Sequence, residues 1–171
     1  MQSSNPRAFP PCKQLQSAPC GRLGDNAATM FSPNKDDVRR FFLSAWERHR
    51  AGGVLTPLET LAADWMDAHP EYHAELSDPD SAQRDYSVED GRTNPFLHLS
   101  MHLSIAEQVS IDQPPGIRQA FDLLRAREGD HAAHHAIMDC LGEMLWTAQR
   151  SGLPPDGAAY VDCVQRRATR R

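Results

Sequence analysis

The chain of 171 residues is long enough for one domain with a hydrophobic core, and 40% hydrophobic with 24% charged residues is a globular composition. A net charge of −5 argues against extensive nucleic-acid binding, and no apolar run reaches the roughly 20 residues of a membrane helix. Four cysteines without a CxxC spacing do not predict a disulfide scaffold, so a reducing cytoplasm is the expected compartment.

The N-terminal segment differs in composition from the rest of the chain. Residues 1–29 contain four prolines and no hydrophobic period, which predicts a disordered leader or a mis-assigned start. Met30 precedes the sequence FSPNKDDVRRFF, which has the features of a helix start. We therefore expect the folded domain to span residues 30–165.

Two amphipathic helices are predicted in the first half of the domain. Ser32-Pro33 supplies a cap and a first helical position, and Gly52-Gly53 ends that helix. The TPLE sequence, Thr56 to Glu59, is a capping box that begins the second helix. Pro70 interrupts this helix, and a short helical turn is expected to follow through Leu76.

The second half of the domain is also predicted to be helical. Residues 77–93 read as a long polar loop before a helix that begins at Asn94-Pro95 and ends near Asp112. Three further helices follow, one ending at Gly129, one spanning 130–152 and one after PPDG.

No segment alternates as a β-strand does, so we predict an all-α fold: a single-domain helical bundle of about six helices. A basic tail, residues 166–171, is expected after it, frayed and solvated.

Two histidines lie on the apolar side of the helix that begins at Asn94. At about 100° per residue, His98 and His102 fall opposite Ser100, Ser104 and Glu107, so they point towards the core. A buried imidazole needs a hydrogen-bond partner or a metal, because an unsatisfied buried polar group costs about 1–3 kcal/mol. Glu107 is nearly opposite and is left out of the predicted site.

The helix at 130–152 carries a second set of polar residues at four-residue spacing. His131 and His135 form a pair, and Asp139 and Glu143 continue the row along the edge of the apolar stripe. His134 lies inside that stripe and is interpreted as a core histidine with a hydrogen-bond partner.

Histidine pairs four residues apart are more frequent than composition predicts. Eight histidines placed at random would give about 0.4 such pairs, and the chain has three. The pair His69/His73 carries less weight because Pro70 lies within it, and His69 is expected to be a helix cap.

Two interpretations of these histidines remain open from the sequence. In the first, His98, His102, His131 and His135 bind zinc, iron or manganese, and Asp139 and Glu143 are further ligands or orienting groups. In the second, His98 and His102 form a metal-free hydrogen-bond network in the core. No HExxH motif is present, so nothing supports a zinc protease.

The metal-free interpretation implies a different class of function, a helical module that binds a protein partner or a second copy of itself. The polar loop at 77–93 and the basic tail would be its contact elements. A catalytic role for Cys140 is not favoured, and Trp46, Trp65 and Trp146 are interpreted as core residues.

Several stretches together resemble a known family: MFSPNKDDVRRFF, LTPLETLAADWMDAHPEYH, TNPFLHLSMHL, IDQPPGIR and LGEMLWTAQRSGLPPDG. The chain is similar, over about Met30 to Val164, to small bacterial, mostly proteobacterial, proteins grouped as domain of unknown function 1841. The resemblance implies a cytosolic bacterial protein and carries over no activity and no ligand residues.

Overall fold

The computed structural model describes residues 34–86 and 93–170, which belong to one compact unit. In this part of the chain there are seven α-helices and no strand, which confirms the predicted all-α fold with one helix more than the expected six. The helices are α1 (Lys35–Arg50), α2 (Pro57–Asp67), α3 (His73–Leu76), α4 (Pro95–Ile111), α5 (Ile117–Glu128), α6 (Asp130–Ser151) and α7 (Gly157–Thr169).

Local capping signals explain where the site-bearing helices begin. The Thr56 side chain accepts a hydrogen bond from the backbone N–H of Glu59, and the Glu59 carboxylate accepts one from the Thr56 N–H, as the predicted capping box requires. Asn94 caps α4 by accepting from the Leu97 N–H at 3.1 Å. The first helix begins at Lys35 with Asn34 as its cap, whereas the predicted cap Ser32-Pro33 and the predicted leader 1–29 lie outside the described residues.

Two hydrophobic clusters form the core, and α4 contributes to both. The first cluster joins α1, α2 and α3 to the beginning of α4 through Phe96 and Leu99. The second joins Ile105 of α4 to α5, α6 and α7. His102 lies between Leu99 and Ile105 in α4 and is fully buried, so the polar site is at the junction of the two clusters.

The predicted loop before α4 is more ordered than its composition suggests. Residues Pro79–Gln83 form a 3-10 helix, and the buried Arg39 of α1 donates hydrogen bonds to the carbonyls of Ala82 and Arg84 at 2.8 and 3.0 Å. These hydrogen bonds from a residue more than 40 positions away stabilise the segment, and local sequence propensities do not predict them. Residues 87–92 lie outside the described part of the chain.

The C-terminal end is packed as well. Helix α7 continues to Thr169, past the predicted domain end at 165, because Arg127 donates to the carbonyls of Arg167, Ala168 and Arg170. Residues 166–169 are therefore helical, where a frayed tail was expected.

A disulfide connects α6 to α7. Cys140 is 1% exposed and bonded to Cys163, a pairing that is not predicted from the cysteine spacing. Trp146 on α6 is 57% exposed, which corrects its interpretation as a core residue, whereas Trp46 and Trp65 are buried. No helix in the described ranges has the length and hydropathy needed to cross a membrane.

Candidate metal centre

Five histidine side chains converge between α2, α4 and α6 through their Nε2 atoms. His69 follows α2, His98 and His102 lie on α4, and His131 and His135 lie on α6. The contacts between Nε2 atoms measure 2.9 Å (His69 to His102), 3.1 Å (His69 to His131, His98 to His102, His131 to His135) and 3.3 Å (His69 to His98). We call these five residues the histidine cluster.

Four members of the histidine cluster meet a stricter geometric condition. One ligand nitrogen from each of His69, His98, His102 and His135 lies within 4.8 Å of the others. Ligands at about 2.1 Å from one metal are separated by about 3.0 Å in adjacent octahedral positions and by about 3.4 Å in a tetrahedron. The contacts of 2.9 to 3.3 Å among the Nε2 atoms of His69, His98 and His102 are of this size, so these three nitrogens have the spacing of metal ligands.

His69 is the residue that the sequence interpretation missed. It was expected to be a helix cap, but its side chain caps nothing and is 2% exposed, with its Nε2 near three other imidazoles. Pro70 does not exclude it from the site, because the 3-10 turn Pro70–Tyr72 starts after His69 and leaves its ring directed inwards. The four-residue spacing did identify the pair His69/His73, but His73 binds the Met66 carbonyl and packs on Trp46.

The two carboxylates predicted as ligands are elsewhere. Asp139 accepts a hydrogen bond from Arg167 of α7 at 2.8 Å, and Glu143 lines a cavity beside Cys140 and Cys163. An α-helix rises about 1.5 Å per residue, so these residues lie about 6 and 12 Å further along α6 than His135. Neither belongs to the convergent group, to which α6 contributes His135.

Glu71 and His134 contact the Nδ1 atoms of two cluster histidines, on the side of each ring opposite to Nε2. The Nδ1 of His69 donates to Glu71 Oε1 at 2.7 Å, since a carboxylate can only accept. The Nδ1 of His102 lies 3.4 Å from the Nδ1 of His134. Both contacts leave an Nε2 free to face the cluster, which is how carboxylate and similar partners orient metal-binding histidines.

An aromatic wall closes the buried side of the cluster. The Trp65 ring stacks on His102 with a centroid separation of 4.0 Å and lies 4.2 Å from the His134 ring. His134 is 4% exposed, and its expected role as a core histidine agrees with this position. The indole Nε1 of Trp65 is buried and has no hydrogen-bond partner among the described residues.

Burial favours the neutral form of four imidazoles in and beside the histidine cluster. Loss of solvent, together with the neighbouring histidines, lowers the pKa of His98 to about 4 and that of His102 to about 2. Burial also lowers the pKa of His134, to about 4, and that of His135. Although burial would raise the pKa of Glu71, the hydrogen bond from His69 brings it below its usual value. At neutral pH His98, His102 and His135 are therefore in the neutral form that a metal requires.

A family model described as domain of unknown function (DUF1841) matches residues 34–166. No curated protein matches the chain, and no solved structure does.

Proposed function

The chain belongs to the family of domain of unknown function DUF1841, and we propose that it binds a first-row transition metal through the histidine cluster. The proposed ligands are the Nε2 atoms of His69, His98, His102, His131 and His135. Neutral imidazole suits zinc, iron and manganese, and helical bundles build such sites from facing helices. The metal would supply Lewis acidity or redox chemistry, according to its identity.

The observation that carries this proposal is a triangle of nitrogens. The Nε2 atoms of His69, His98 and His102 are all within 3.3 Å of one another. An imidazole Nε2 has either one proton or one lone pair, so three such atoms cannot each hydrogen-bond to the other two. A single cation in contact with the three lone pairs removes this conflict.

The tautomer of His69 also favours a metal over a hydrogen-bond network. Because its Nδ1 proton is donated to Glu71, neutral His69 has only a lone pair at Nε2. Three other Nε2 atoms surround that lone pair at 2.9 to 3.3 Å. In a metal-free network this lone pair accepts a hydrogen bond from one of the three nitrogens, so the other two contacts bring nitrogen atoms together without a bond between them.

Metal titration tests the proposal. The metal-free, untagged chain is titrated calorimetrically with Zn²⁺, Mn²⁺ and Fe²⁺, and we expect one site per chain for at least one of them. His98→Gln and His135→Gln should weaken that binding by two or more orders of magnitude, as expected when one nitrogen ligand is removed.

The matched control is His49→Gln, because His49 pairs with Asp67 outside the cluster. Circular dichroism and thermal unfolding establish that each variant folds. Equal affinity in the His98→Gln, His135→Gln and His49→Gln proteins would refute the assignment, as would the absence of any binding to the folded wild-type chain.

The alternative is a metal-free helical module that binds a protein partner. Exposed apolar side chains at the end of α6 favour it, since Trp146 is 57% and Leu153 is 67% exposed. In that case His98→Gln would change stability and leave the metal content at zero. The expected cytoplasmic location stays a prediction, and the Cys140–Cys163 disulfide is more typical of an oxidising compartment.

A further inference from the structure

The histidine cluster is closed on two sides and open on the third. His69 and His102 are 2% and 0% exposed, and Tyr72 and Trp65 stack on their rings at centroid distances of 5.4 and 4.0 Å. On α6, by contrast, His131 is exposed and His135 is half-buried. A ligand from solvent therefore has access to the cluster from the α6 side.

A surface cavity lies at that open side. It has a volume of about 400 Å³ and is lined by Glu128, Gly129, Asp130, His131, Ala132 and His135. Two members of the histidine cluster thus form part of its wall. The cavity is large enough for several water molecules or for a small inorganic ligand.

The number of donors also leaves space for a further ligand. The four convergent nitrogens of His69, His98, His102 and His135 are two fewer than an octahedral metal takes, and His131 can fill at most one of the remaining positions. The separations of 2.9 and 3.1 Å from His102 to His69 and His98 match adjacent octahedral positions. A site whose ligands all come from the protein is typical of a structural metal, whereas an open position is typical of a reactive one.

Charge favours an anion at the open position. Imidazole ligands do not reduce the charge of a divalent cation. Within residues 34–86 and 93–170, Glu71 is the carboxylate that hydrogen-bonds to the cluster, and it does so on the His69 side, away from the cavity. Helix α6 also begins beside the cavity without a side-chain cap, so its first N–H groups add positive potential. Asp130 and Glu128 oppose this at the cavity mouth, and the Glu128 charge is balanced by Arg127.

We propose that the metal held by the histidine cluster keeps an open coordination position on the α6 side, which takes a small inorganic monoanion from solvent through this cavity. The inference rests on the proposed metal site and adds the class of exogenous ligand that the metal would bind. It assigns the histidine cluster to reversible small-ligand binding, with Ala132 at the access route.

Azide is the probe for this inference. The full chain is loaded with Co²⁺ and the metal content is measured first. Azide is then added while the visible absorption of the cobalt is recorded. We expect a saturable spectral change with one azide per cobalt, since exchange of a coordinated water for azide alters the ligand field.

Replacement of an alanine by phenylalanine at two different positions locates the access route. Ala132→Phe narrows the cavity and should weaken azide binding by at least about tenfold without lowering the cobalt content. Ala158→Phe, a change of the same size on the exposed face of α7, should leave azide binding unchanged.

The possible failures are distinguishable. Stoichiometric cobalt with no spectral response to excess azide would overturn the open position and leave the metal site standing. Cobalt that does not bind at all would refute the metal site itself. Azide binding that is equal in the Ala132→Phe and Ala158→Phe proteins would contradict access through the cavity.

Discussion

Helix α6 carries two consecutive pairs of potential ligands at the same spacing, and the fold uses them differently. The first pair, His131 and His135, faces α4 and has its Nε2 atoms 3.1 Å apart within the histidine cluster. The second pair, Asp139 and Glu143, is turned towards Arg167 of α7 and towards the cavity beside the disulfide. Equal spacing along a helix therefore does not define a site; contact with a second helix does.

The same contrast holds for the two histidines beside α2. His69 and His73 are four residues apart, but only His69 reaches the α4 imidazoles, while His73 hydrogen-bonds to the Met66 carbonyl. Such pairs provide a matched variant for each test, because one member lies within the cluster and the other lies beside it.

The largest effect is expected from His69→Ala. His69 touches three other imidazoles, so its loss removes a ligand and separates the α4 pair from the α6 pair. We predict that metal content, measured by mass spectrometry, falls from about one equivalent to near zero. His73→Ala is the control and should retain the metal. Retention of full metal content in the His69→Ala protein would show that His69 is not a ligand.

A smaller loss is expected from Glu71→Gln. The Glu71 side chain is 56% exposed, so its replacement leaves the core intact but weakens the hydrogen bond that orients His69. Loss of such an orienting carboxylate typically lowers metal affinity about 10- to 100-fold, which calorimetry resolves.

Glu75→Gln is the control for Glu71→Gln, because Glu75 binds Arg84 and Tyr86 instead of a cluster histidine. An affinity change of the same size in both variants would show that the Glu71 effect does not depend on His69.

Acid should destabilise the metal-free protein. The pKa values of His98 and His134 are about 4 in the fold and about 6.5 in an unfolded chain. The unfolded state binds more protons between these values, so stability is full above about pH 6.5 and is lost as the pH falls towards 4.

We expect the midpoint of thermal unfolding to fall by several degrees over this range, which circular dichroism measures. Bound metal should raise the midpoint at neutral pH and lose this effect as protons compete for the imidazoles. A midpoint that is constant from pH 7 to 4 would contradict the buried, neutral state assigned to these histidines.

The smallest effects are expected from Asp139→Asn and Glu143→Gln. Because neither carboxylate belongs to the convergent group, each change should alter metal affinity by less than about twofold. A loss as large as that of Glu71→Gln would restore these two residues to the site that the sequence analysis predicted.

Helix periodicity identified four of the five residues of the histidine cluster. The wheel of α4 placed His98 and His102 on the core side, and the spacing on α6 identified His131 and His135. Capping motifs correctly located the starts of α2 and α4. These features depend only on residues a few positions apart, so they can be predicted from one sequence.

Long-range contacts were not predictable in the same way. The role of His69 depends on the packing of α2 against α4, and the burial of Cys140 depends on α7. Order in the segment before α4 depends on hydrogen bonds from Arg39, more than 40 residues away. None of these contacts leaves a periodic signal, so the local helices could be predicted from the sequence and their long-range contacts could not.

X-ray absorption at the metal edge tests the central claim most directly. The untagged chain is loaded with the metal that calorimetry selects, and the scattering from imidazole rings is counted. The proposed site predicts four or five imidazole nitrogens at about 2.1 Å, reduced by one in the His135→Gln protein. A shell made mainly of carboxylate or water oxygens, or one that is unchanged in that variant, would contradict it.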